Sequence, residues 1–114
     1  MVDSVQRRTY EDGDLVFAEG DVGDVAYLVE HGVLEVFSGD GEAATVYALL
    51  GPGEIVGEMA LIDSKPRMAS ARASKGSTVI VVTRPMFEEK LKKADPFLRG
   101  LLNILVDNIR SISK

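Results

Sequence analysis

The chain has 114 residues, 46% hydrophobic and 27% charged, enough for one hydrophobic core without room for a second domain. That composition excludes a disordered chain, and no apolar run approaches the ~20 residues of a membrane helix, the Thr78–Val82 run being only strand-sized. A net charge of −5 conceals an asymmetry: residues 1–63 carry fourteen acidic and two basic side chains, residues 64–114 four acidic and eleven basic. An anion site is therefore expected in the second half, although different solvation of strand-rich and helix-rich segments explains the split equally well. An acidic chain without a basic stripe is a poor nucleic-acid binder. Zero cysteines suit a reducing cytosol, and Met1-Val2-Asp3-Ser4 is no secretory leader, so a cytoplasmic location is expected.

From Arg7 to Val82, short β-prone runs alternate with turn residues. The expected strands are Arg7–Tyr10, Leu15–Ala18, Val25–Glu30, Val33–Ser38, Ala44–Leu50, Ile55–Val56, Met68–Ala73 and Thr78–Thr83. Strands of this length and spacing predict an antiparallel sandwich or barrel. Gly39-Asp40-Gly41 predicts a hairpin turn, because glycine supplies the positive φ of tight turns. After Thr83 the pattern becomes helical. Pro85 stands near a first helical position, where no amide hydrogen is needed, and Met86, Phe87, Lys90 and Leu91 repeat on one face of a helix over 84–94. Asp95 as N-cap and Pro96 at the first position open a last helix reaching Ser113. The expected fold is mainly β: an eight-stranded antiparallel, jelly-roll-like β-roll over residues 7–83, a hinge helix, and a C-terminal helix, all in one domain.

One helical island interrupts the strands, Gly57-Glu58-Met59-Ala60-Leu61-Ile62, followed by Asp63-Ser64-Lys65-Pro66-Arg67. The first turn of a helix exposes backbone N–H groups and partial positive charge, which favour an anion. Gly57, lacking a Cβ, allows ligand and backbone to approach closely. Arg67 follows Pro66 into an extended segment, and a guanidinium suits bidentate contact with phosphate oxygens. Glu58 can accept hydrogen bonds from a sugar hydroxyl. Together these describe a site for a phosphorylated sugar. The competing reading is an ion pair between Glu58 and Arg67 alone, which leaves Gly57 and the helix unexplained.

Gly57–Ile62 followed by Pro66-Arg67-Met68-Ala69-Ser70-Ala71-Arg72-Ala73 resembles the phosphate-binding cassette of cyclic-nucleotide-binding domains. Such domains occur in bacterial catabolite-activator-type regulators, cyclic-nucleotide-dependent kinases and cyclic-nucleotide-gated channels. Tyr10–Asp21 resembles the family's opening strand-turn-strand, Tyr27–Val36 its next hairpin, and Leu50-Gly51-Pro52-Gly53-Glu54 the approach to the cassette. The resemblance implies a regulatory ligand rather than a catalytic cofactor. By it, Glu58 accepts from the ribose 2′-hydroxyl, Arg67 pairs with the exocyclic phosphate oxygens, and the amides of Ala60 and Ala69 reach the phosphate. Gly57 packs under the ribose, and Val56, Leu61 and Ala71 line the pocket; Met59 and Met68 complete the candidate set. A Thr after the arginine assists guanine in this family. Met68 offers no hydroxyl, and a missing hydrogen bond costs about 1 kcal/mol or more, which favours cAMP while leaving cGMP open.

Catalysis finds little support. His31, the single histidine, precedes Gly32 in a turn, and one histidine cannot furnish the metal set of a small-barrel enzyme. Within the last helix, Leu98, Leu102, Leu105, Ile109 and Ile112 recur at spacings of four and three, a coiled-coil seam, and Phe97, Leu101, Ile104 and Val106 widen it. Two readings stand open: a homodimer or effector contact through this helix, or a helix lying wholly on its own barrel. The resemblance makes it a lid that closes on ligand, with Arg99, Asn103, Asp107 or Arg110 as candidate contacts. Ending at Lys114, the sequence is expected to be a stand-alone sensor or an excised regulatory domain without a DNA-reading, kinase or pore segment. The alternative is a ligand-independent interaction or dimerisation module that retains the fold.

Overall fold

Alternation of β-branched and small residues with polar ones builds strands that bury one face each, and two such sheets close on a shared core. The computed structural model describes residues 6–63 and 65–112. Eight strands form: β1 (Arg7–Tyr10), β2 (Leu15–Phe17), β3 (Val25–His31), β4 (Leu34–Ser38), β5 (Thr45–Leu50), β6 (Ile55–Val56), β7 (Ser70–Ala73) and β8 (Ser77–Thr83). They pair antiparallel into two four-stranded sheets, β1-β8-β3-β6 and β2-β7-β4-β5. The core between them holds Tyr27, Val29, Leu34, Val56, Ala71, Ala73, Val79 and Val81. The expected mainly-β roll with C-terminal helices is the observed architecture.

Local departures have local causes. The strand expected from Met68 begins at Ser70, because the backbone of Arg67 pairs instead with the β2–β3 loop: its amide donates to Asp21 O at 2.8 Å and its carbonyl accepts from Gly20 N at 2.9 Å. A register shift between Leu15 and Phe17 in β2 marks a bulge, and a bulge re-aims side chains. Leu15 consequently faces outward while Val16 and Phe17 pack against the core. The Gly39–Gly41 turn extends into a single 3-10 turn over Gly41–Ala43. Ser77 is buried at the start of β8, its hydroxyl accepting from Val33 N (3.1 Å) and donating to Lys75 O (2.7 Å).

The described residues also form three α-helices: α1 (Met59–Asp63), α2 (Arg84–Lys92) and α3 (Pro96–Ile112). The Thr83 hydroxyl caps α2 by accepting from Met86 N, and Pro85 occupies its first turn. Asp95 plays the same part for α3, accepting from Phe97 N at 2.8 Å. The helix end expected at Ser113, like Ser64, lies outside the described residues, and so does the side chain of Ile112. No helix among the described residues is long and apolar enough to cross a membrane. Among the described side chains of α3, only Val106 is buried, whereas Phe97 is 71% exposed and Leu98, Leu101, Ile104, Leu105 and Ile109 are exposed with it. Packing of the whole helix on its own barrel is therefore overturned; α3 touches the body through one narrow side, facing α1.

Candidate functional site

Arg67 is the centre of the site. It is only 6% exposed, yet among the described residues no carboxylate pairs with it. Its Nη1 donates to Gly57 O at 3.0 Å and its Nη2 to Val25 O at 2.7 Å, so the start of β3 and the entry to α1 grip the same guanidinium. The guanidinium carbon lies 4.3 Å over the centre of the Phe17 ring, and Nε is buried without a hydrogen-bond partner. Burial pulls the pKa of Arg67 below its ordinary value, against the opposing pull of Tyr27, Asp21 and Asp24. A buried cation compensated by two carbonyl dipoles and a ring, without a counter-ion, leaves net positive charge directed at whatever enters. The ion pair of the competing reading, Glu58 with Arg67, is not formed; Glu58 stands exposed at the start of α1.

Glycine makes this geometry feasible at two positions. Gly57 has φ +82°, and a Cβ there would stand 2.6 Å from Arg67 Nη1 and 3.3 Å from the Phe17 ring. At Gly23, in the β2–β3 loop, a Cβ would stand 2.5 Å from Arg67 Nη2. The two glycines are the walls between which the guanidinium lies.

Beside Arg67 opens a cavity of about 250 Å³. Of the candidates drawn from the sequence, Val56, Gly57, Glu58, Met59, Ala60, Arg67, Met68 and Ala69 all border it. Leu61 and Ala71 do not. Ala71 is wholly buried in the inter-sheet core, and Leu61 turns toward a separate groove between α1, α2 and α3, so both support the site from behind. The amide of Ala60 is engaged by Gly57 O at 3.3 Å. Phe17, Val36, Leu50 and Ile55 also border the cavity although the sequence does not single them out for it, and so does the lid candidate Arg110. Phe17 lay within the Tyr10–Asp21 stretch that carried the resemblance, but its inward turn depends on the bulge. Val36, Leu50 and Ile55 come from strands whose inner faces are set by pairing.

Two arginines hold the far end of α1. Arg84 at the start of α2 donates to Ala60 O (2.6 Å) and Leu61 O (3.0 Å), satisfying carbonyls that a short helix leaves open. Arg110 of α3 grips Asp63 through Nε and Nη2 and donates from Nη1 to Pro66 O at 3.0 Å. Burial alone would raise the Asp63 pKa, but the Arg110 hydrogen bonds, the Lys65 amide and both positive charges outweigh it and hold the carboxyl below its ordinary value. Among the four lid candidates, Arg110 reaches the cavity. Arg99 and Asn103 face the α1–α2–α3 groove, and Asp107 lies beside Lys65 and Pro66. His31 is exposed, and among the described residues no group of three or more His, Cys, Asp or Glu is placed to hold a metal ion.

This arrangement has relatives. Residues 7–94 match the family model described as "Cyclic nucleotide-binding domain". The chain is 34% identical over 106 residues to the cyclic AMP receptor protein of Thermus thermophilus, covering 92% of this chain and 49% of that protein. It is 34% identical over 100 residues to the cAMP-dependent protein kinase regulatory subunit of Emericella nidulans, covering 87% of this chain and 24% of that subunit. Among solved structures, the EAL enzyme Bd1971 in its cAMP-bound form superposes with a TM-score of 0.84 at 34% identity, over 94% of this chain and 29% of that one. Its cGMP-bound form gives 0.85 at 34% identity, over 92% and 28%. The chain thus spans about half or less of the length of these relatives. A family match over most of the chain, on the same strands and cassette that form the Arg67 cavity, places this protein in the cyclic nucleotide-binding domain family, as a regulatory domain of that kind.

Proposed function

We propose that the cavity beside Arg67 binds a cyclic nucleotide, cAMP in preference to cGMP, and that binding is relayed through α1 to α3. The observation that carries this reading is the buried Arg67 guanidinium with no carboxylate partner among the described residues. The cyclic phosphate supplies the missing anion, Glu58 accepts from the ribose 2′-hydroxyl, and the base lies toward Val36, Leu50, Met59 and Met68. Those four side chains offer neither a hydroxyl nor an amide to guanine, which supports the adenine preference. The relay follows from attachment. A ligand that draws Gly57 and α1 inward displaces the Asp63–Arg110 pair, and α3 follows it over the base; the ligand biases this step only as far as it binds the closed arrangement more tightly.

Calorimetric titration with cAMP and with cGMP tests the reading. We expect binding of both with cAMP tighter, a loss of about a hundredfold or more in Arg67→Ala, and a loss of about tenfold or more in Glu58→Ala. Absence of heat with either nucleotide at ~100 μM, within the usual ligand range, refutes it.

The exposed apolar stripe of α3 favours a second role compatible with the first. Phe97, Leu98, Leu101, Ile104, Leu105 and Ile109 pair with the same helix of a second copy, or of an effector protein, so that movement of α3 becomes the output.

A further inference from the structure

We infer that Phe17 is a positioning residue for Arg67: its ring, re-aimed inward by the β2 bulge, is the platform that holds the unpaired guanidinium in phosphate-reading geometry. The inference rests on the reading of Arg67 as the phosphate's partner and adds the group through which that arginine is kept in place.

Three observations converge on Phe17. The guanidinium carbon is 4.3 Å from the ring centroid, well inside the ~6 Å range over which a ring face attracts a cation. Contacts at the guanidinium's edge come from Gly57 O and Val25 O, which stop it sliding in its own plane, and it lies where a Cβ on Gly23 or Gly57 would intrude. The ring is the partner that lies against its face, and it shares the burial of an Nε with no acceptor. Phe17 is itself backed by Tyr27, ring centres 6.0 Å apart and planes 24° from parallel, so the platform rests on a core residue of the opposite sheet.

Contrast within the same molecule sharpens the assignment. Arg72 also lies over a ring, 4.1 Å from the centre of Phe37, but Arg72 is paired with Glu35 and its charge is already met. At Arg67 no such carboxylate is present among the described residues, so the ring takes over part of a counter-ion's work while leaving the charge available. A carboxylate in place of the ring would neutralise the phosphate site. An aliphatic side chain would fill the volume but leave the guanidinium free to rotate, and an arginine that must be ordered upon binding lowers affinity.

The experiment separates shape from ring electronics. Phenylalanine at position 17 of the full chain is exchanged for mono-, tri- and pentafluorophenylalanine, which keep the shape while draining the ring face of negative charge; Phe17→Tyr and Phe17→Leu accompany them. Affinity for cAMP is read by calorimetry, and the Arg67 Nε–H signal of the ligand-free protein by NMR. We expect affinity to fall stepwise, reaching about fivefold weaker at pentafluorophenylalanine and in Phe17→Leu, with Phe17→Tyr within about twofold of the parent. The Arg67 Nε–H signal, sharp and slow to exchange in the parent, broadens along the same series. Flat affinity across the fluorinated series overturns the inference, as does an equal loss in Phe17→Tyr and Phe17→Leu. Should the parent bind neither cAMP nor cGMP, the reading of the site fails by itself. The NMR series then decides the positioning role, and an unchanged Nε–H signal overturns it.

Discussion

Arg110→Ala should release α3 from the cassette without unfolding the β-roll. In the parent, Arg110 holds Asp63 through two donors and Pro66 O through a third, and the two side chains are only 12% and 10% exposed. A hydrogen bond to a charged group contributes about 1.5–3 kcal/mol. Undocking of α3 lets water reach Asp63, so the net loss is smaller than the sum, about 2 kcal/mol. Burial of Val106, the apolar anchor of the same helix face, contributes a similar ~1.5–2 kcal/mol. Ionic latch and apolar anchor therefore contribute comparably, and removing the latch shifts the docked-to-undocked ratio about thirtyfold. Hydrogen exchange by mass spectrometry reads this directly: α3 amides exchange about thirtyfold faster in the variant, while β3 and β8 keep their protection. Arg110→Lys, with the charge but not the fork, falls between. Unchanged α3 exchange, or equal loss of protection in β3 and β8, would refute the reasoning.

Four further outcomes follow from the geometry. The Asp63 carboxyl has a folded-state pKa below its ordinary value, so its contribution is complete above the unfolded pKa of about 3.9 and is lost as pH falls through the folded pKa; α3 amides should lose protection in that acid range, and Asp63→Asn should abolish the pH step. Gly23→Ala forces a Cβ to within 2.5 Å of Arg67 Nη2, and we expect cAMP affinity to fall about tenfold with little change in melting temperature, read by calorimetry and scanning fluorimetry. In Ser77→Ala the part-buried Val33 N–H loses its acceptor, a cost of about 1 kcal/mol that should appear as a lower urea midpoint at unchanged slope. Placing charge in the α3 stripe with Leu98→Glu and Leu105→Glu should convert a concentration-dependent dimer into a monomer in sedimentation; a parent that is monomeric at all concentrations refutes the pairing.

Legibility from sequence varied with how local each cause is. Strand positions, the capped starts of α2 and α3 and the cassette helix are set by side chains within a few residues of one another, and the structure places them within two residues of expectation. β7 starts late because the backbone of Arg67 is captured by Gly20 and Asp21, nearly fifty residues earlier, a pairing that no local pattern records. The pocket shows the same division. Its cassette side, Gly57 through Ala60 with Arg67 to Ala69, was readable as a segment, whereas Phe17, Val36, Leu50 and Arg110 arrive from four other elements. The resemblance implies Leu61 and Ala71 as pocket residues, but helical and strand periodicity turn them away from the cavity.

The stretch from Gly57 to Ala73 by itself carries the expectation of an anion site with a carboxylate at its entrance, because a glycine without a Cβ, a helix start and an arginine after proline suit one. Whether that arginine would be neutralised was decided only by the tertiary structure. Two backbone carbonyls and a ring turned inward by a bulge surround the Arg67 guanidinium, which lies where a Cβ on Gly23 or Gly57 would intrude, and the structure pairs none of the described carboxylates with it. Charge type is written in the residue, but charge compensation depends on which neighbours the fold brings within a few ångströms.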